Sequence, residues 1–374
     1  MSLGRLFGIK IRIDLSWLFV FALVVWSLSS KVGPFEAVAT DLPTRMLLGI
    51  LTAMLFFASI LAHELAHSLT ARARGIPIES ITLFIFGGIS HFEGEPTTAP
   101  SSAWISLVGP LASLAIGAAF FLAAAAIGAH NAFGVAAGYL AFANIALGLF
   151  NLLPVFPLDG GRVLHALLWS ATKDRVRATR IAVAVGRVPA WLIIAFGIDQ
   201  TLRFGIGSGL WLTFIGWFLL QAGNAEALQT DVSASLKGHA AVELVEPAGL
   251  ALAPNAAGTQ ALETMRSQRA RALPVLLGNQ FLGIVTAADL EKISSDELEA
   301  TFVTALMTRR EALKSITPEA NASDVLRILA ESGYQQLPII DVGGTFYGFI
   351  TVQGILRWAA SDREKILANL TAKR

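Results

Sequence analysis

Five residues inside an apolar stretch, His63-Glu64-Leu65-Ala66-His67, have the types and the spacing to hold a metal ion. Histidines four residues apart share one face of a helix, so both imidazoles can reach a single Zn²⁺. The glutamate between them lies close enough to the ion to take a proton from bound water. The chain has no cysteine, which excludes disulfides and thiolate ligands. Any metal must therefore be held by His, Asp or Glu. HExxH is a short pattern and needs context. The context is its surroundings, since Met46 to Thr70 is otherwise almost wholly apolar. Two histidines and a glutamate are costly in such a segment unless a metal and a polar cavity compensate for them.

Catalytic zinc needs a third protein ligand and an open position for water. The candidates are His91, Glu93, His130, Asp159 and His165. Asp159 stands out, at the end of Asn151-Leu152-Leu153-Pro154-Val155-Phe156-Pro157-Leu158-Asp159-Gly160-Gly161. Two prolines and a glycine pair break the backbone there, so a carboxylate can be aimed sideways from a helix end. The competing reading of Asp159 is an N-cap on the following helix. His91 reads as a loop histidine and His165 as part of a cytoplasmic helix. His130 falls on the far side of the membrane.

The elements that position these groups are membrane helices. Of 374 residues, 54% are hydrophobic and 15% charged. That charge content is far below the roughly 25% of soluble domains and fits a polytopic α-helical membrane protein. A formal net charge of +1 gives no case for a nucleic-acid partner. Six apolar segments are candidate spans, at about 14–30, 45–72, 103–128, 135–155, 181–202 and 208–224. Arg187, Pro189, Asp199 and Arg203 interrupt the last two. The apolar run Leu15 to Leu28 lacks a small-residue cleavage site, so it reads as a retained first span.

Basic residues set the orientation. Arg5, Lys10 and Arg12 precede the first span, and Arg72 and Arg74 follow the second. Arg162, Lys173, Arg175, Arg177 and Arg180 lie between the fourth and fifth. The opposite side carries only Lys31, Arg45 and Arg203. The positive-inside rule therefore puts both termini in the cytoplasm of a multi-pass cell-membrane protein. His63 precedes Arg72 by nine residues, roughly 14 Å along a helix. The metal would sit within the bilayer, toward its cytoplasmic half. Ile76 to Phe92 is rich in β-branched and aromatic residues, with a Gly87-Gly88 break, and reads as a β-hairpin dipping into the membrane. An unpaired edge there could receive an extended substrate by strand addition.

From about residue 225 the composition changes, and charges become frequent. Residues 225–239 read as a linker to a soluble α+β tail over 240–374. Ala272-Leu273-Pro274-Val275-Leu276 and Gly283-Ile284-Val285-Thr286 recur as Gln336-Leu337-Pro338-Ile339-Ile340 and Gly348-Phe349-Ile350-Thr351, an internal duplication. The copies cover about 240–297 and 298–365. Each reads as a helix (260–269, 323–332), two short strands and a further helix.

HELAH in a membrane helix, Gly109-Pro110 after it and the later NxxPxxPLDGG together resemble the site-2 protease family of intramembrane zinc metalloproteases, peptidase family M50, over about residues 1–224. The resemblance implies that His63, His67 and Asp159 bind one zinc ion per chain and that Glu64 is the general base. It matches Asn151 to a family asparagine that stabilises the oxyanion or positions the substrate strand; capping the broken helix is the alternative for that residue. The implied substrate is a transmembrane segment, unwound locally in the bilayer, as in a single-span membrane regulator cut by regulated intramembrane proteolysis. No PDZ-like insertion interrupts the spans.

The tail is similar to a tandem cystathionine-β-synthase-type (CBS) pair over about 240–365. Such pairs bind adenine nucleotides in the cleft between copies, with the Asp of GxxTxxD on the ribose. The first copy has Thr286 and Asp289; the second has Thr351, but Gly354 where the Asp would stand, so one of two sites is in doubt. The alternative is a pair that only joins two chains as a homodimer. A transporter gated by such a tail would account for the spans, but leaves His63-Glu64-His67 and Asp159 without a reason. An inactive scaffold would not need Glu64.

Overall fold

The computed structural model describes residues 2–371 apart from 40, 85–86, 93, 95, 129, 247–248, 333 and 335. It divides into two compact units, one up to Thr230 and one from Asp231 onward.

The first unit begins with two short strands, β1 (Ser2–Leu6) and β2 (Ile9–Ile13). Helices α1 (Leu15–Ser29) and α2 (Leu42–Ala73) follow, each opened by an aspartate. Asp14 accepts from the Ser16 N–H and Asp41 from the Thr44 N–H, both at 2.9 Å, satisfying amides that a helix start leaves unpaired. Next come β3 (Ile78–Phe84), β4 (Gly87–Phe92), α3 (Ala99–Ile127) and α4 (Ala132–Asn151). The unit ends with α5 (Asp159–Thr172), α6 (Arg175–Phe204) and the larger part of α7 (Ile206–Leu236).

Helices lie at all six expected apolar segments. Four of them, α2, α3, α4 and α6, are long and apolar enough to cross a membrane among the described residues. Helix α1 is apolar but only 15 residues long. Helix α6 continues through Arg187 and Pro189, which interrupt its apolar pattern. The stretch 225–239, expected as a linker, is helical as far as Leu236. The reason is burial: Val232 and Leu236 sink into the core of the second unit beside Leu244 and Val325.

The four strands form one sheet in the order β1-β2-β3-β4. β3 and β4 pair antiparallel, with Ile81 opposite Ser90 and Leu83 opposite Gly88, where the sequence reads as a hairpin. β2 pairs parallel to β3, with Lys10 opposite Ser80 and Ile11 opposite Ile81. The N-terminal strands, which read in the sequence only as a basic flank, thus extend the β3–β4 pair into a four-stranded sheet. Ile9, Ile11 and Ile81 bury against Leu65 of α2, which fixes the sheet on the helix bearing the HExxH residues.

The second unit holds α8 (Gly258–Gln268), β5 (Ala272–Leu277), β6 (Gln280–Thr286) and α9 (Ala287–Leu290). After them come α10 (Ser295–Ala300), α11 (Val303–Leu306), β7 (Thr308–Arg309) and α12 (Ala322–Ser332). Strands β8 (Gln336–Ile340) and β9 (Phe346–Thr351) and helix α13 (Val352–Thr371) close the chain. Each copy has its own antiparallel pair and its own apolar core. The hairpin tips are tied reciprocally: Phe281 N–H donates to Gly344 O at 2.9 Å, and Phe346 N–H to Asn279 O at 3.0 Å.

Candidate metal centre

Helix α2 puts His63 and His67 on its buried face, 4% and 7% exposed. Their Nε2 atoms stand 3.1 Å apart. Asp159, in the first turn of α5, brings its Oδ2 to 3.2 Å from each of them. Among the described residues these three are the group of His, Asp and Glu side chains that could hold a metal ion.

Helix α3 supplies the support. Ile105, Gly109 and Ser113 follow one another at four-residue intervals, so they line one face. The Ile105 carbonyl lies 2.6 Å from His67 Nδ1, and the Ser113 hydroxyl 2.9 Å from His63 Nδ1. A carbonyl can only accept, so Nδ1 of His67 carries its proton and Nε2 keeps a lone pair facing the other donors. Between them, Gly109 leaves room: a Cβ there would lie 2.8 Å from His63 Nε2 and closer still to His67.

Local sequence explains how Asp159 arrives. Leu158, the residue at the N-cap of α5, makes no side-chain cap, and Asp159 is the first helical residue. The N-cap reading of Asp159 is therefore not what the structure contains; its carboxylate turns to the histidines. Gly161 packs so closely on the preceding loop that a Cβ would meet the Val155 carbonyl carbon at 2.6 Å. Only a chain without side chains there lets the first turn of α5 seat against residues 152–156.

The donor set fits zinc. Ligands about 2.0–2.1 Å from a tetrahedral ion are about 3.3 Å from one another, close to the separations of these three atoms. Two neutral imidazoles and one carboxylate, with the histidines oriented by a carbonyl and a hydroxyl, are a catalytic rather than a structural zinc set.

Glu64 is beside these ligands on α2, and its Oε2 accepts from the Ser90 hydroxyl of β4 at 3.0 Å. Asn151 ends α4, and its amide nitrogen donates to the Leu147 carbonyl of the same helix at 3.0 Å. It is outside the His-His-Asp group. His91 is exposed on β4 opposite Ser80, and His130 is exposed between α3 and α4. His165 is buried on α5, stacked with Trp169. Glu93 lies outside the described residues. Sequence reasoning missed Ser113, Ser90 and the Ile105 carbonyl; a serine in an apolar helix and a backbone oxygen carry no readable signal.

In the tail, Thr286 and Asp289 form a reciprocal cap on α9. The Thr286 hydroxyl donates to Asp289 Oδ2 at 2.6 Å, and the Asp289 N–H donates back to Thr286 Oγ1 at 3.3 Å. In the second copy the Gly354 N–H donates to Thr351 Oγ1 at 2.8 Å. The missing side chain is replaced from elsewhere. A Cβ on Gly354 would lie 2.9 Å from the Glu246 carboxyl carbon, and the Thr351 hydroxyl donates to Glu246 at 3.2 Å. Glu246 also pairs with Arg357.

Residues 51–136 and 123–196 match peptidase family M50, and residues 250–296 and 303–361 match the CBS domain. "Putative zinc metalloprotease sll0528" of Synechocystis is 31% identical over 367 residues, covering 96% of this chain and 94% of that one. "Putative zinc metalloprotease Rip3" of Mycobacterium tuberculosis is 32% identical over 370 residues, covering 96% and 92%. Among solved structures, the site-2 protease of Methanocaldococcus jannaschii is 26% identical, with a TM-score of 0.42 over 61% of this chain and 94% of that one. With relatives matched over nearly their whole length and the His-His-Asp group in place, the chain belongs to peptidase family M50, as a multi-pass membrane metalloprotease with a tandem CBS tail.

Proposed function

We propose that the chain is a zinc-dependent intramembrane endopeptidase that hydrolyses peptide bonds within transmembrane segments of other membrane proteins. The observation that carries this is the convergence of His63 Nε2, His67 Nε2 and Asp159 Oδ2 beside Glu64, with both histidines and the glutamate on α2, a helix long and apolar enough to span a bilayer. His63, His67 and Asp159 hold the ion. Zinc bound there supplies Lewis acidity to the attacking water and the scissile carbonyl. Glu64 takes the proton of that water and returns it to the leaving amine nitrogen. Asn151 gives its amide to the oxyanion or to the substrate strand once it releases Leu147.

An intact helix shields its carbonyls, so the substrate must unwind locally. β4 ends the strand order, and its free edge can take an extended segment by strand addition. In this reading six helices cross the membrane, the hairpin dips into it, and both termini and the CBS tail are cytoplasmic. The protease part spans 1–224 and the regulatory pair 240–374. Thr286 and Asp289 of the first CBS copy, with Thr351 of the second, contact an adenine nucleotide whose binding shifts access to the site. The pair also joins two chains as a homodimer.

The test is incubation of the purified chain with a single-span membrane substrate, beside Glu64→Gln. Cleavage by the wild type and none by the variant supports the proposal; persistent cleavage by Glu64→Gln, or none by either, overturns it. Nucleotide control fails if calorimetry detects no adenine nucleotide binding and removal of the tail leaves cleavage unchanged.

A further inference from the structure

Glu64 and Ser68, four apart on α2, meet Gly88 and Ser90, two apart on β4. Residues two apart on a strand share a face, so both strand positions look toward the base. They treat it differently. At Gly88 a Cβ would stand 2.8 Å from the Glu64 carboxyl carbon and 3.1 Å from Oε1, so glycine there leaves space for the carboxylate. At Ser90 the hydroxyl donates to Glu64 Oε2 at 3.0 Å. Ser68, fully buried, lies 3.0 Å from Ser90 Oγ. The Ser90 hydroxyl spends its one proton on Glu64 Oε2, so Ser68 is the donor to Ser90. The direction of the chain is therefore set, from Ser68 to Ser90 to Glu64.

We infer that Ser90 is a positioning residue for the general base: with Ser68 behind it, it ties the carboxylate of Glu64 to the strand whose free edge receives substrate. The inference rests on the proteolytic reading above. Among the described residues nothing bonds to Glu64 Oε1, so fixing Oε2 leaves Oε1 as the oxygen that meets the proton. The same strand that aligns the substrate backbone thus aligns the base. Displacing β4 along α2 would spoil both together, which couples seating of the peptide to readiness of the catalyst. Hydrogen bonds to charged groups are stronger than neutral ones, and one of them can hold a carboxylate in a single rotamer.

The test compares wild type, Ser90→Ala, Ser90→Thr and Glu64→Gln on a transmembrane substrate, with zinc content measured for each. Expected is a kcat lower by about tenfold to a hundredfold in Ser90→Ala, the loss typical of one hydrogen bond to a charged group, with KM and zinc content little changed. Ser90→Thr, which keeps the hydroxyl, restores most of the rate. A Ser90→Ala rate equal to wild type, or no rescue by threonine, overturns the inference while leaving the proteolytic reading intact. An inactive wild type strikes that reading instead, and this role with it. A second measurement needs no activity. The chain has no cysteine of its own, so Ser68→Cys combined with Ser90→Cys should close an intramolecular disulfide on mild oxidation, found by non-reducing peptide mapping. Failure to form it in the folded chain overturns the contact itself.

Discussion

Nδ1 of His67 lies 2.6 Å from the carbonyl oxygen of Ile105, on a different helix, so the backbone of α3 decides which imidazole nitrogen faces the metal site. His63 has a weaker version of the same arrangement, because its partner is the Ser113 side chain at 2.9 Å. One support can be mutated away and the other cannot. Ser113→Ala should lower zinc affinity by about tenfold to a hundredfold, the usual cost of losing an outer hydrogen bond to a ligating histidine. Competition with a graded series of chelators measures it, and the helical circular dichroism should be unchanged.

Gly109→Ala asks whether the clearance over the imidazoles is needed. A methyl group there would come within 2.8 Å of His63 Nε2, inside the space a metal and its water require. Alanine is a better helix former than glycine by about 1 kcal/mol, so α3 itself should not suffer. The expected result is a folded protein whose zinc-to-chain ratio falls well below that of wild type by atomic absorption.

Acid should loosen the tail through Asp289. Burial works to raise its pKa, but hydrogen bonds from the Thr286 hydroxyl and N–H and from the Lys292 ammonium outweigh this and hold the carboxyl below its ordinary value. A carboxylate with a lowered folded pKa stabilises fully above its unfolded pKa of about 3.9, and that stability is lost as pH falls through the folded value. Limited proteolysis of the full chain between pH 6 and 3 should show the tail opening at the acid end. Asp289→Asn should be less stable than wild type at pH 6, and the gap should narrow on acidification.

Glu246→Ala removes the carboxylate that stands where Gly354 has no side chain. It leaves the Thr351 hydroxyl and Arg357 without this partner. Glu246 is partly exposed, so the cost should be modest, about 0.5–1.5 kcal/mol. Urea titration followed by fluorescence reads it, with Gly354→Asp in the same background as the rescue. Restored stability would show that the two carboxylates serve the same place.

The chemistry was legible from residues that are rare where they occur. Two histidines and a glutamate in an apolar helix, and an aspartate among prolines and glycines, stand out because each is costly in a membrane without a job. The antiparallel pair of β3 and β4 was legible from its β-branched residues. Strands β1 and β2 were not, because Arg5, Lys10 and Arg12 read as a charged flank, and what makes β2 a strand is a distant partner, with Lys10 opposite Ser80. Asn151 was legible as a candidate, but its hydrogen bond back to Leu147 follows from the local helix end rather than from residue type. Glu246 was invisible as a substitute for the second-copy aspartate, since no spacing rule links residues so far apart in the chain.

The sheet gives residues 2–13 a consequence out of proportion to their chemistry. They contain no ligand and no base, yet β2 is the strand on which β3 rests, and β3 holds the strand that faces Glu64. Residues 2–13 are therefore the far end of a ruler laid against α2. Deleting residues 2–13 would strip β3 of its parallel partner and so disturb the strand opposite Glu64, while every residue named in the motif remained intact.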